Sequence, residues 1–368
     1  MQEPIRILIV NGKMICGGIE SFIMNIYRHI DRNKIQFDFL VHYKDRFFYD
    51  DEIERLGGKI HRLTFRNDNN YFKYKKDLKT FFKNNPQYQI VWGQMEGFAS
   101  IYLKEAKKAG VKWTIAHSHI TSAERSLKGL IKRVLRKNVN KYADYKFACS
   151  TEAGRYLFGK APFTLIPNAI ETERFLFNAQ TRGRIRAHHG WDETHFILGH
   201  IGRFNAQKNH KYLIDIFAEY AKKNPNARLC LCGDGELMQS VKEYATKKSV
   251  MDKITFTGNI SNVNEYYQAF DMFVMPSLYE GLPVSGIEAQ VSGLPCVFAD
   301  TITREVGILT DRTKFLSITQ SPEVWANAIS EQDGVDRTID NETLLNDYNI
   351  DCNAEKLSTF FMEKSNEE

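Results

Sequence analysis

No stretch of this 368-residue chain approaches 18 consecutive apolar residues, so no helix is expected to cross a bilayer and any membrane role is peripheral. The N-terminus does not read as a secretory signal: MQEPIRILIVNG is a short strand followed by a polar loop. Cysteine is sparse. Its six positions (Cys16, Cys149, Cys230, Cys232, Cys296 and Cys352) show no Cys-x-x-Cys and no Cys/His ligand spacing. That argues against a disulfide framework or a zinc module, and leaves buried thiols in a reducing compartment. Cys230 and Cys232 stand two apart in a strand-like run and share a face, but no further ligands accompany them. Neither half contains Gly-x-Gly-x-x-Gly, which removes the fingerprint of a dehydrogenase.

What the chain does contain suits two domains. A length of 368 residues exceeds what one core usually serves, and 43% hydrophobic with 26% charged residues is ordinary for a globular protein. The net charge of +5 hides an asymmetry. Residues 1–200 hold 34 Lys and Arg against 20 Asp and Glu, giving +14, while the remainder holds 16 against 25, giving −9. Such a split suggests that the first domain faces something anionic, a membrane surface or a nucleic acid. Arg125–Lys141 carries seven basic residues and no acid, on a helical pattern of Leu127, Leu130, Ile131, Val134 and Leu135. A core-packing helix with a basic outer face explains the apolar stripe. An anionic membrane facing Lys132, Arg133, Arg136 and Lys137 explains the one-sided charge better. These cations are not interleaved with aromatics, so nucleic acid is not an expected partner.

Apolar strand-like runs at Ile5–Val10, Ile35–Val41, Ile90–Trp92, Trp113–Ala116 and Tyr145–Cys149 are separated by amphipathic helical patterns such as Gly18–Ile30. The second half repeats the plan: FILGHIG, ARLCLCG, KITFTG, DMFVMPS and PCVFAD read as strands, with helices between them. This alternation predicts an α/β chain of two doubly wound parallel-sheet domains. The expected bounds are 1–178 and 192–345, with a C-terminal helix in 346–368 that crosses back to the first domain. The joint is expected in the polar segment Asn178–Asp192, which lacks apolar periodicity. Ligands of such sheets bind beyond the carboxyl ends of the strands, here a cleft between the domains.

The chemistry-bearing motifs fall at those strand ends. Gly17-Gly18-Ile19-Glu20 opens a helix after the first strand, either as a plain tight turn or as a place where backbone amides approach a phosphate. Gly202-Arg203 ends the first strand of the second domain and Lys208 follows, with Asn209 as N-cap of the next helix. Arg203 can grip two oxygens and Lys208 supplies a point charge, a pair suited to a diphosphate. Gly233-Asp234-Gly235 forms a loop against which a nucleotide can lie. Glu280-Gly281-Leu282-Pro283-Val284-Ser285-Gly286-Ile287-Glu288 is the strongest motif. Pro283 suits the first helical position, Gly293 the stop, and Glu288 sits on an otherwise apolar helix. Its carboxylate needs a partner, a ribose diol or a structural salt bridge. Two acids eight residues apart on a helix would lie about 12 Å apart along its axis. The paired carboxylates of a retaining glycosidase sit about 5 Å apart, so these acids read as ligand holders. In the first domain His117 and His119 follow the strand Trp113–Ala116, where a histidine can orient a hydroxyl or have no role.

Together these residues resemble glycosyltransferase family 4, over nearly the whole chain from Gly17-Gly18-Ile19-Glu20 through His117-Ser118-His119 and Ile166-Pro167-Asn168-Ala169 to the end of the second sheet. The bacterial capsule and exopolysaccharide enzymes are the most similar type. The resemblance implies the GT-B architecture: an acceptor-binding and a nucleotide-sugar-binding Rossmann-like domain. It implies a retaining enzyme that needs no metal or other cofactor, and no Asp-x-Asp metal motif is present. The implied donor is a nucleotide sugar, most commonly a UDP-sugar, and the implied acceptor a lipid-linked or oligosaccharide chain. The implied place is the cytoplasmic face of the membrane. Arg203 and Lys208 match the family's diphosphate cations, Glu288 its ribose acid and Glu280 its donor-sugar acid. Gly17, Gly18, Gly233, Gly281, Leu282, Pro283 and Val284 complete the donor site. His117 holds the place of the sugar-contacting histidine, with His119 beside it. A silent assembly subunit and a nucleotide-sugar epimerase are the alternatives on the same fold.

Overall fold

The computed structural model describes residues 3–120, 127–332, 334, 336, 337, 339 and 346–367, with residues 127–134 described by their backbone alone. The chain forms two compact units, Met1–Ala169 with Asp347–Glu368, and Ile170–Asn346. The first contains strands β1 (Ile5–Val10), β2 (Ile35–Val41), β3 (Ile60–Arg62), β4 (Ile90–Gly93), β5 (Trp113–Ser118), β6 (Tyr145–Ala148) and β7 (Thr164–Leu165). They form one parallel sheet in the order β3-β2-β1-β4-β5-β6-β7. Runs such as IRILIV are almost continuously apolar because helices cover both faces of the sheet. One of those covers is the C-terminal helix Ile350–Asn366. Its Ile350, Ala354, Leu357 and Phe361 enter the same core as Trp92 and Phe37, and Trp113 Nε1 donates to Lys364 O at 2.8 Å.

The second unit repeats the architecture with β8 (Phe196–Ile201), β9 (Ala227–Cys232), β10 (Ile254–Gly258), β11 (Met272–Met275), β12 (Cys296–Ala299) and β13 (Thr313–Leu316). All pairs are parallel, in the order β10-β9-β8-β11-β12-β13. The unit begins at Ile170, ahead of the polar segment expected to be the joint. That segment is itself a docked helix, Ala179–His188. Beside the buried Ile185, its anchors are guanidinium groups. Arg186 is buried and donates to Ala269 O, Asp192 O and His195 O at 3.1, 2.6 and 2.7 Å, and pairs with Asp271. Arg182 meets the same Asp271 at 2.6 Å. Guanidinium groups that satisfy buried carbonyls take over the role of an apolar stripe, which is why apolar periodicity is absent there.

Candidate active site

In the second sheet the chain leaves β8 toward neighbours on opposite sides, β9 and β11, so a crevice opens at the carboxyl ends of β8 and β11. The loops that emerge there are tied together. Leu278 N donates to Gln207 O at 2.8 Å, Gln207 Nε2 to Tyr279 O at 2.9 Å, and Asn209 Nδ2 to Pro276 O at 3.1 Å. Lys208 Nζ thereby meets Glu280 Oε1 at 2.7 Å, with the two side chains 15% and 10% exposed. Asn209 does start the helix His210–Lys223, but from a left-handed backbone (φ 56°) and without a capping side-chain bond. Asn209 is thus the N-cap by position, as expected, while its Nδ2 serves Pro276, and Asn205 caps the preceding turn by accepting from Lys208 N at 3.2 Å.

The glycines of these loops are dictated by close approach. A Cβ on Gly233 (φ 134°) would lie 2.2 Å from Gly202 O, so the loops after β8 and β9 can touch only with bare backbone. A Cβ on Gly202 would press within 3.0 Å of Lys208 Cε. Arg203 stands at the rim, 70% exposed, 3.1 Å from Glu236, itself 57% exposed. Such surface pairs are worth about 0–1 kcal/mol, so Arg203 is free to exchange Glu236 for an anion.

Glu280 is followed by Gly281 and the buried Leu282, and Pro283 is the N-cap rather than the first residue of the helix Val284–Val291. Gly293 (φ 75°) follows the helix stop. Glu288 lies on this helix, and Tyr267 Oη donates to its Oε2 at 2.7 Å. No cation stands within ion-pair distance of Glu288 among the described residues. Burial raises its carboxyl to about 7, against the lowering effects of the Tyr267 bond and the charge of Arg174.

In the first unit the equivalent crevice opens between β1 and β4. Gly17 precedes the helix Gly18–His29, whose first turn carries Glu20. A Cβ on Gly17 would lie 2.5 Å from Glu20 Oε2, and Asn11 Nδ2 donates to Glu20 Oε1 at 3.1 Å. This helix N-terminus therefore has a carboxylate of its own. His117 and His119 behave differently from each other. Strand β5 runs through Ser118, two residues beyond the expected end, so His117 stays in register with the core. Its ring lies between Trp92 (5.7 Å) and His119 (4.2 Å), with Phe22 edge-on at 5.1 Å and no hydrogen-bond partner on either nitrogen. His119 sits at the mouth, 8% exposed, its Nε2 2.7 Å from Gln94 Oε1. Burial lowers both histidines, His119 to about 3, so both rings are neutral. Of the two expected candidates for the sugar contact, His117 is enclosed in the core and His119 reaches the surface.

Sequence reasoning passed over Gln94 and Glu96, the polar residues that leave β4 across the crevice from Gly17. Glu96 Oε1 accepts from His119 N at 2.7 Å and Oε2 from Ser118 Oγ at 3.1 Å. The available signal was their place directly after the apolar strand IVWG. Of the basic helix, the backbone is helical over Leu127–Tyr142; Arg136 lies over the Tyr156 ring at 4.6 Å and Lys137 is exposed. Arg125 and the side chains of Lys132 and Arg133 lie outside the described residues.

Residues 181–332 match the family described as glycosyl transferases group 1. The putative glycosyltransferase EpsF of Bacillus subtilis (strain 168) is 34% identical over 333 residues, covering 88% of this chain and 87% of that protein. The chain belongs to the group 1 glycosyl transferases. A second relative of this glycosyltransferase is the UDP-Gal:alpha-D-GlcNAc-diphosphoundecaprenol alpha-1,3-galactosyltransferase of Escherichia coli, 32% identical over 142 residues, 37% of this chain and 36% of that one. Among solved structures, Anabaena HepE in complex with UDP-glucose aligns with a TM-score of 0.72 over 98% of both chains, at 17% identity. That likeness is one of fold: the glycosyltransferase has the two parallel-sheet α/β domains of the GT-B class. The matched stretch 181–332 contains Arg203, Lys208, Gly233, Glu280 and Glu288.

Proposed function

We propose that this glycosyltransferase moves a sugar from a UDP-sugar to a growing lipid-linked surface polysaccharide, retaining the anomeric configuration and using no metal. The observation that carries the reading is the convergence of Lys208, Glu280 and the loop glycines at the crevice between β8 and β11. Glu288 supports it, as a carboxyl group bonded to the Tyr267 hydroxyl and, among the described residues, without a cation at ion-pair distance. In this reading Lys208 and Arg203 neutralise the leaving diphosphate, the task many transferases give to a metal. Glu288 takes the two ribose hydroxyls. Gly233 lets the nucleotide lie against backbone, and Gly281, Leu282, Pro283 and Val284 carry the chain past the diphosphate. Glu280, at the sugar end, fixes the donor sugar. Glu280 is engaged with Lys208 and Glu288 with Tyr267, so neither is a free nucleophile. Attack then comes from the face the diphosphate leaves, with the departing phosphate oxygen taking the acceptor's proton. His119 orients the sugar, and Gly17 and Gly18 close on the phosphates once Glu20 gives way.

The donor class is supported by the UDP-glucose complex of HepE, and the acceptor class by the diphosphoundecaprenol in the name of the E. coli relative. No described helix is long and apolar enough to cross a membrane, so in this reading the acceptor is met at the cytoplasmic surface of an anionic bilayer. A second basic element joins Arg136 and Lys137 in that role. On the helix Tyr71–Asn84, Lys76, Lys79 and Lys83 are exposed on the face that begins with Phe72, itself 83% exposed. The test is a panel of UDP-glucose, UDP-galactose, UDP-N-acetylglucosamine and UDP-N-acetylgalactosamine, each incubated with the protein and assayed for UDP. Slow UDP release from one of them is expected. Formation of an epimer without UDP release, or no change with any sugar, contradicts the reading.

A further inference from the structure

Glu96 is one of four described non-glycine residues with a left-handed backbone, at φ 49°. Such a conformation is strained for a residue with a Cβ and persists only where the surroundings over-determine it. Here the surroundings are the exit of β5. The carboxylate reaches across from the end of β4 to accept from the amides of His119 and Ile120 and from the Ser118 hydroxyl, all within one turn of chain. Both oxygens are therefore directed at the His119 segment, and neither is free to serve as a base. Two residues earlier Gln94 Oε1 faces His119 Nε2 at 2.7 Å. Nε2–H donates to it, and in the neutral ring Nδ1 is left as the accepting nitrogen. Backbone and ring of one histidine are thus held from the same strand end.

We propose that Glu96 is a positioning residue of the transfer reaction, which sets the backbone of His119 while Gln94 sets its ring, so that Nδ1 is presented to a hydroxyl of the transferred sugar. The inference rests on the reading of His119 as the sugar contact. Glu96→Gln replaces one carboxyl oxygen with an amide donor, which takes an acceptor away from the His119–Ile120 amides and lets that segment relax. Misplacement of a positioning group by about 1 Å can cost about 100-fold in rate.

The experiment is a double-mutant cycle on UDP release from the sugar nucleotide that turns over, using the full chain as parent, Glu96→Gln, His119→Ala and the double variant. Turnover of Glu96→Gln is expected to fall about 10- to 100-fold with the donor KM within about threefold, and the double variant to be no slower than His119→Ala. Equal loss from Glu96→Gln in the presence and absence of His119 overturns the inference. So does parental turnover of Glu96→Gln beside a crippled His119→Ala. Parental turnover of His119→Ala sinks the underlying reading of His119 and the inference with it. If Glu96→Gln melts too early to assay, Glu96→Asp, which keeps the charge but withdraws the oxygens by one methylene, takes its place with the same expectations.

Discussion

Glu280 and Glu288 follow the same strand, yet their surroundings differ. Glu280 is engaged with a cation, Lys208, and Glu288 with a phenol, Tyr267, in a site that raises its carboxyl to about 7. An unfolded glutamate titrates near 4.3, so between about pH 4 and 7 the folded chain holds a proton at Glu288 that the unfolded chain has lost. The corresponding stability is fully present below about pH 4 and is lost as pH rises through about 7. Glu288→Gln removes this slope, so its melting temperature falls less than the parent's between pH 5 and 8. Glu96 shifts in the same direction and remains in both proteins. Ribose binding works the other way. A diol donates to the ionised carboxylate, so the UDP affinity of the parent gains on that of Glu288→Gln as pH rises through about 7. At pH 8 the variant should bind UDP about 1–3 kcal/mol more weakly, the value of a charge-assisted hydrogen bond. Glu280→Gln should bind UDP nearly as the parent does and lose turnover. Calorimetry with UDP beside steady-state rates checks both. Parental UDP affinity in Glu288→Gln at pH 8 removes the ribose assignment.

Among the elements, the helix Ala179–His188 is the one whose stability is least like that of its neighbours. Its side is held by Arg186, a buried cation with four acceptors, and Arg186→Ala leaves Asp271 with one partner fewer and takes one donor from each of three carbonyls. Breaking a buried pair from one side costs about 3–5 kcal/mol, so unfolding of the second unit in urea should shift to markedly lower concentration. A shift equal to that of an exposed Arg184→Ala control contradicts the anchoring role. The same helix marks the limit of what sequence discloses. Strands β1, β2, β8, β9, β11 and β12 were legible because a strand covered on both faces is almost continuously apolar. Lys208, Gly233, Glu280 and Glu288 were legible because polar and glycine residues at strand ends stand out against those runs. A helix held by guanidinium–carbonyl bonds has no such contrast. The register of His117 and His119 depends on where β5 ends, and two extra residues of strand bury the first and leave the second at the mouth. The left-handed backbone of Glu96 leaves no mark on its letter at all.

For the molecule as a whole, the surplus of +14 in residues 1–200 and the deficit of −9 beyond them fit the two encounters of the proposed function, one with a surface and one with a small ligand. Each cation near an anionic bilayer contributes about 1 kcal/mol. Replacing Lys76, Lys79, Arg136 and Lys137 with Glu should therefore abolish co-sedimentation with vesicles containing about one-third phosphatidylglycerol while leaving UDP binding intact. Unchanged sedimentation at low and moderate salt removes the membrane from the account. The donor encounter is the more central of the two, because it makes the chain a sugar transferase rather than a fold. Lys208, Arg203 and the bare backbone at Gly233 should hold a nucleotide diphosphate without help. Titration of the protein with UDP in excess EDTA tests this most directly. The account predicts a single site that binds in EDTA and loses at least about tenfold in affinity in Lys208→Met. Binding that requires added manganese, or parental affinity in Lys208→Met, contradicts it.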